Sequence, residues 1–315
     1  MKDDSFDSLN RRKRFAPPLS SGKRITPVDA DYLIFEWLDD HGPLPTTYLY
    51  AATKHLRCNY TGLQKRLRDL RNEADTLHGG RYLVRPAQQK DTIRAREQPL
   101  TYDNLPVSRD ALRARGLIPN AQRFDPMHHR FMNACCTASM RLAAPLAGLE
   151  FVTLKTILAR NTCPKSTREA KNPLAIRSVV GALVPDDLNG LAYPTSPTRS
   201  FRFLAWEQDR ATETLNAIEA KLLSYLDVLR SRSYEGHWGI TSLYVLIVTT
   251  RSARMRNMID LLARLTVHEP KLREFFLFKH KPEFAEEWVT PPIMYDLLTD
   301  PWERAGLAPF FLDRT

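Results

Sequence analysis

Three carboxylates and one ammonium are spaced so that they converge. Phe201, Phe203, Ala205, Glu207 and Asp209 alternate along a β-rich run, so they share one face of a strand that begins apolar and ends acidic. Asp186, directly after Pro185, brings a third carboxylate from the preceding segment. Lys221 flanks the apolar stripe Leu215, Ile218, Leu222, Tyr225, Leu226 and Leu229, whose spacing predicts a helix over 211–230. Acids crowded in this way repel one another and require compensation. A hard divalent cation held by their oxygens would supply it, and so would an ion pair with Lys221.

The elements that position these groups read as an α/β unit. The continuous apolar run 243–250 predicts a strand covered on both faces. With the strand 201–208 and the helix between them it forms a crossover with its sheet beneath the helix. Upstream, Phe131, Met132, Met140, Leu142 and Leu146 predict a helix over 126–147, with His128 and His129 in its first turn. Strands are expected at 150–157 and 176–183, the second leading into Pro185-Asp186, with a polar, basic loop at 161–172. Downstream, a helix over 253–265 and an edge strand at 275–278 precede an irregular tail.

Pro185-Asp186, the run Trp206-Glu207-Gln208-Asp209-Arg210-Ala211-Thr212-Glu213, and Lys221 four residues before Tyr225 together resemble the replication-relaxation family of plasmids and mobile elements. That pattern has a Pro-Asp, a strand ending in Glu-x-Asp-Arg-Gly-Thr-Glu, and a helix carrying a Lys before a Tyr. Ala211 stands where the pattern has Gly. The family is similar in turn to the PD-(D/E)xK nucleases, whose core runs helix, three strands, helix, strand.

The resemblance implies a mixed α/β (α+β) chain: an N-terminal winged helix-turn-helix followed by a restriction-endonuclease-like αβββαβ domain. It implies Mg²⁺ between Asp186 and Glu207, and a catalytic set of Asp186, Glu207, Asp209 and Lys221. In those nucleases a Lys two residues beyond the Glu activates water; Asp209 occupies that position here. Lys221 either replaces that lysine or only neutralises the acids. The family often has a His at the start of the 126–147 helix, so His128 or His129 either approaches the acids or simply caps and packs.

The N-terminal third reads as a nucleic-acid module. Thr26-Pro27 predicts a helix start, with Leu33, Ile34, Trp37 and Leu38 inward and a stop at His41-Gly42-Pro43. A short helix over 46–54 and a third over 59–72 follow, then a turn at His78-Gly79-Gly80 and a wing strand at 81–85. In a winged helix the third helix enters the major groove and flanking charges meet phosphates. Lys54, Arg57, Asn59, Lys65, Arg66, Arg68, Arg71 and Arg81 are the expected DNA-binding residues; the alternative is a helical packing module with a solvated basic face. Domain boundaries are read as a disordered basic arm 1–24, winged helix 25–86, connector 87–124 and nuclease-like domain 125–315. The arm, with Arg11, Arg12, Lys13 and Arg14, either follows a DNA backbone or is a solvated tail.

Charge agrees with a polyanionic partner: net +10, with 22 Lys and Arg against 16 Asp and Glu over residues 1–125. The cysteines, Cys58, Cys135, Cys136 and Cys163, lack zinc-ligand spacing and suit a reducing cytoplasm. No run approaches membrane-span length, and no phosphate-binding Gly loop or serine nucleophile motif is present. The expected partners are double-stranded DNA and, through the resemblance, relaxase or replication proteins; a homodimer is compatible with the sequence. The expected function is DNA binding for plasmid or mobile-element replication, relaxation or conjugative transfer. A metal-dependent DNA endonuclease or nickase is one alternative, and a winged-helix transcription regulator with an inactive nuclease-like domain is the other.

Overall fold

The computed structural model describes residues 13–57, 59–75, 78–91, 95–120, 126–197, 200–286 and 288–314. The chain is mixed α/β and divides into two units. The first comprises Met1–Asn120, Phe124–Ala138 and Glu287–Thr290; the second comprises Ala121–Arg123, Ser139–Glu286 and Pro291–Thr315.

In the first unit, α1 (Asp29–His41) starts later than Thr26-Pro27 suggests. Its N-cap is Val28, whose amide donates to Asp31 Oδ2 at 3.0 Å, so a carboxylate from the first turn closes the end. The helix stops at Gly42, which adopts φ +103° while its amide donates to the Leu38 carbonyl at 2.9 Å. Next come β1 (Leu44–Pro45), α2 (Thr46–Thr53) and α3 (Tyr60–Asn72), the last capped by Asn59, whose Oδ1 accepts from the Gly62 amide at 2.7 Å. Ile34, Phe35, Leu38, Leu49, Leu63, Leu67 and Leu70 are buried between the three helices.

The wing strand is shorter than 81–85: β2 spans Leu83–Val84. It pairs with β3 (Thr101–Asn104), which lies inside the stretch read as a connector. The three strands are antiparallel in the order β1-β3-β2. Helix α4 (Pro106–Ala114) follows.

Part of the segment read as an arm is held by hydrogen bonds. The Ala16 carbonyl accepts from Arg71 Nη2 at 2.8 Å, and Glu73 accepts from Ser20 Oγ at 2.6 Å and from the Ser21 amide at 2.9 Å. Arg71 and Glu73 are buried charged groups that need partners, and residues 16–21 supply them. Residues 1–12, including Arg11 and Arg12, lie outside the described residues, as does Cys58; the other three cysteines are buried free thiols.

Helix α5 (Met127–Ala143) begins in the first unit and ends in the second. The second unit then runs β4 (Glu150–Val152), α6 (Leu154–Ala159), α7 (Lys165–Arg168), β5 (Ile176–Ser178), β6 (Gly181–Leu183), β7 (Asp187–Ala192), β8 (Phe201–Asp209), α8 (Leu215–Ser231) and α9 (Ser233–Trp238). It continues through β9 (Tyr244–Thr249), α10 (Ser252–Leu265), β10 (Phe276–His280), α11 (Asp296–Thr299), β11 (Trp302–Arg304) and β12 (Leu307–Phe310). A mixed seven-stranded sheet has the order β12-β11-β10-β9-β8-β7-β4, with β8, β9 and β10 parallel and the other pairs antiparallel.

Four expectations change here. The strand at 150–157 ends at Val152, because Thr153 Oγ1 accepts from the Thr156 amide at 3.2 Å and caps α6. The strand at 176–183 is instead the hairpin β5–β6, outside the main sheet. The segment beside Asp186 that enters the sheet is β7, and β10 is an inner strand because β11 and β12 extend the sheet through the tail. Helices α8 and α10 cover one face, packing Ile218, Leu222, Met258 and Leu262 over Phe203, Ala205, Val245 and Phe276. Each of these side chains except Ala205 contributes about 1.5–3 kcal/mol by leaving water. Among the described residues no helix is long and apolar enough to cross a membrane.

Candidate functional site

Strand β8 delivers Glu207 to the face beneath α8, where the residue is 4 % exposed. Lys221 and Tyr225 sit one helical turn apart, so both polar ends reach the same carboxylate. Lys221 Nζ donates to Glu207 Oε2 at 2.8 Å and the Tyr225 hydroxyl donates to Oε1 at 2.5 Å. Lys221 also lies 3.5 Å from Glu213, which is on the loop before α8.

Asp186 stands next to this group. Its amide donates to the Trp206 carbonyl at 3.0 Å, and its Oδ2 accepts from the Gln208 amide at 2.6 Å. The side chain thus adds one rung beyond the β7–β8 ladder, which fixes it beside Glu207. Burial, then the Asp186 charge, pushes the Glu207 carboxyl up from its ordinary 4.5 to about 7, against the pull of Lys221 and Tyr225. Burial works against the Lys221 ammonium, but Glu207 and Asp186 outweigh it and raise its pKa. Burial and Glu207 raise the Tyr225 hydroxyl well above its ordinary value. The protons on Lys221 and Tyr225 therefore stay in place, and Glu207 is the member of the group that titrates near neutrality.

Asp209 does not join Asp186 and Glu207. Its Oδ2 accepts from Thr249 Oγ1 at 2.7 Å and Arg254 Nε at 2.6 Å, and its Oδ1 accepts from the Ala211 amide at 3.0 Å. Of the four expected catalytic residues, the structure brings Asp186, Glu207 and Lys221 together, while Asp209 pairs with α10. Glu207, Asp209, Glu213, Lys221, Tyr225 and Met258 line a cleft of about 350 Å³, part of it open to solvent. Tyr225, Glu213, Thr249 and Arg254 are contributors outside the expected set. Tyr225 was legible as the residue four beyond Lys221, but it also belongs to the apolar stripe; nothing local marks Arg254.

The expected Mg²⁺ can be tested against these donors. Asp186 and Glu207 are oxygen ligands of the right kind. Both Glu207 oxygens, however, already receive an N–H or O–H donor, and the Lys221 ammonium occupies the cation's place in the charge balance. Among the described residues no group of three or more His, Cys, Asp or Glu is arranged to hold a metal ion. A Mg²⁺ between Asp186 and Glu207 would have to share or displace these two hydrogen bonds and the Lys221 ammonium. His128 is engaged in the first unit, where its Nε2 accepts from Trp288 Nε1 at 2.9 Å.

The expected DNA-binding residues separate into two groups. Lys54, Lys65, Arg68 and Arg81 are exposed. Arg57 and Arg66 turn inward to Asp31, which is fully buried, at 2.7 and 2.6 Å. Arg71 is buried on the Ala16 carbonyl, and the Asn59 side chain caps α3. Burying Asp31 without both arginines would leave an uncompensated charge, so these two side chains are committed to the fold.

Compared with known proteins, the chain matches no family model, no curated protein and no solved structure.

Proposed function

We propose that this is a cytoplasmic DNA-binding protein of a plasmid or mobile genetic element, acting in replication, relaxation or conjugative transfer. The observation that carries the reading is the first unit's order, α1-β1-α2-α3-β2-β3 with sheet order β1-β3-β2, which is the order of a winged helix. On that plan α3 is the recognition helix, and it exposes Lys65 and Arg68 with Lys54 and Arg81 nearby in the chain. Further support comes from α5, β4, β7, β8, α8 and β9, which follow the helix, three strands, helix, strand order of the nuclease-like core. Asp186, Glu207 and Lys221 also meet, as the replication-relaxation resemblance implies.

The test is duplex binding at stepped salt by the full chain and by Lys65→Gln/Arg68→Gln. Loss of two phosphate contacts lowers the slope of log K against log salt by about 2. An unchanged slope and affinity exclude α3 as the DNA-binding element. A second reading, a winged-helix regulator whose nuclease-like unit does not cleave, is favoured by the occupied Glu207 oxygens. A reporter fused to the protein's own promoter separates the two, since only the regulator alters its expression.

A further inference from the structure

The hairpin β5–β6 carries two side chains that its own folding does not require. Ile176 and Leu183 pair across the strands and are buried, so the base of the hairpin belongs to the core. At the other end Val179 and Val180 form the turn between Ser178 and Gly181, and they are 81 % and 51 % exposed. Turns of this length ordinarily use Gly, Asn or Asp, and β-branched residues are poorly suited to them. Here Gly181 takes the positive φ, +136°, and the Ser178 hydroxyl donates to the Gly181 carbonyl at 2.9 Å. The Val179 amide donates to Asp227 Oδ2 of α8 at 2.9 Å, which holds the tip in position. The result is a fixed ribbon with an apolar end facing water.

The segment leading into it is strongly basic. Lys165, Arg168, Lys171 and Arg177 are all exposed, and Glu169, itself 3.7 Å from Lys165, is the single acid between residues 160 and 178. Arg160 is excluded from this set because its guanidinium stacks over Phe201 and Phe203. Cations on a ribbon (Arg177) and on the helix α7 and segment leading into it (Lys165, Arg168, Lys171) match a phosphate backbone, and a two-stranded ribbon is narrow enough to enter a groove. Apolar wedges at such sites contact or unstack bases. A lipid surface would call for aromatic side chains or an amphipathic helix here, and the segment 160–183 has no Phe, Tyr or Trp.

We infer that this hairpin is a second DNA contact: Lys165, Arg168, Lys171 and Arg177 lie along the phosphates, and Val179-Val180 enters a groove. The inference rests on the DNA-binding reading above but concerns the other unit of the chain. It is tested by anisotropy titration of a labelled mixed-sequence duplex at stepped salt, using the full chain and three variants. These are Lys165→Gln/Arg168→Gln/Lys171→Gln/Arg177→Gln, Val179→Ser/Val180→Ser, and Lys65→Gln/Arg68→Gln.

The hairpin charge variant is expected to bind at least about tenfold more weakly and to lose about 3.6 from the salt slope. The valine variant is expected to lose affinity with its slope intact, because no phosphate contact is removed. Wild-type binding by both hairpin variants, with loss only in the α3 variant, overturns the inference and leaves the recognition-helix reading standing. No duplex binding by wild type at low salt overturns both. Hairpin-dependent sedimentation with phosphatidylserine vesicles, alongside unaltered DNA affinity, makes the tip a lipid contact and also overturns the inference.

Discussion

Replacing Glu207 with Gln keeps the shape of the side chain and removes its titration, so it isolates the one group in the cleft poised near neutrality. In the folded chain the carboxyl is raised from 4.5 to about 7, chiefly by burial and then by Asp186. A folded pKa above the unfolded one means that the native state holds the proton more tightly. The associated stability is fully present below about pH 4.5 and is lost as pH rises through about 7. At about 1.4 kcal/mol per pH unit, wild type should lose up to roughly 3 kcal/mol across that window relative to Glu207→Gln. The assay is urea unfolding of both proteins at pH 5, 6, 7 and 8. Carboxylates elsewhere contribute equally to both proteins and cancel in the difference. A difference that stays constant from pH 5 to 8 would refute the reasoning, because Glu207 would then be ionised throughout.

Three further outcomes follow from the same geometry. Lys221→Met leaves Glu207 buried without its cation, so it should cost about 3 kcal/mol at pH 8 and clearly less at pH 5, where the acid is neutral; equal costs in urea unfolding would contradict the ion-pair assignment. Ala211 adopts φ +59°, the left-handed region, so Ala211→Gly should stabilise by about 0.5–1 kcal/mol after the entropy of glycine is deducted; a lowered melting temperature would contradict this. Supercoiled plasmid incubated with the protein and Mg²⁺ should remain uncut, because the ion would have to compete with Lys221 and Tyr225 for the Glu207 oxygens; nicking that Glu207→Ala abolishes would overturn this reading of the donor set.

What could be read in advance divides along physical lines. Strand β8, helix α8 and strand β9 were legible because their apolar residues keep one period over many positions. Strand β7 was hidden because Asp187, Asn189 and Gly190 are turn formers, although all three are buried in the sheet. Gly190 is there for packing: a Cβ at that position would lie 3.0 Å from the Phe203 ring. The hairpin β5–β6 read as one strand because Val179-Val180 gives no turn signal. Among the arginines, periodicity separates those on the apolar line from those off it, but it cannot foresee that Asp31 is buried and draws in Arg57 and Arg66. The resemblance had Gly where Ala211 stands, and the positive φ supplies the reason for that preference.

The two acids at the end of β8 are compensated from two different helices. Glu207 is compensated from α8, by Lys221 and Tyr225, and Asp209 is compensated from α10, by Arg254. Each carboxylate therefore ties a different helix to the same end of the sheet, and Arg254 Nη2 strengthens the second tie by donating to the Glu213 carbonyl at 2.7 Å. A lysine at position 209 would meet Arg254 instead of pairing with it. Burial, then the neighbouring Asp186 charge, raises the Glu207 carboxyl against the pull of Lys221 and Tyr225. Glu207 and Asp209 thus clasp the two covering helices, α8 and α10, to the end of the sheet.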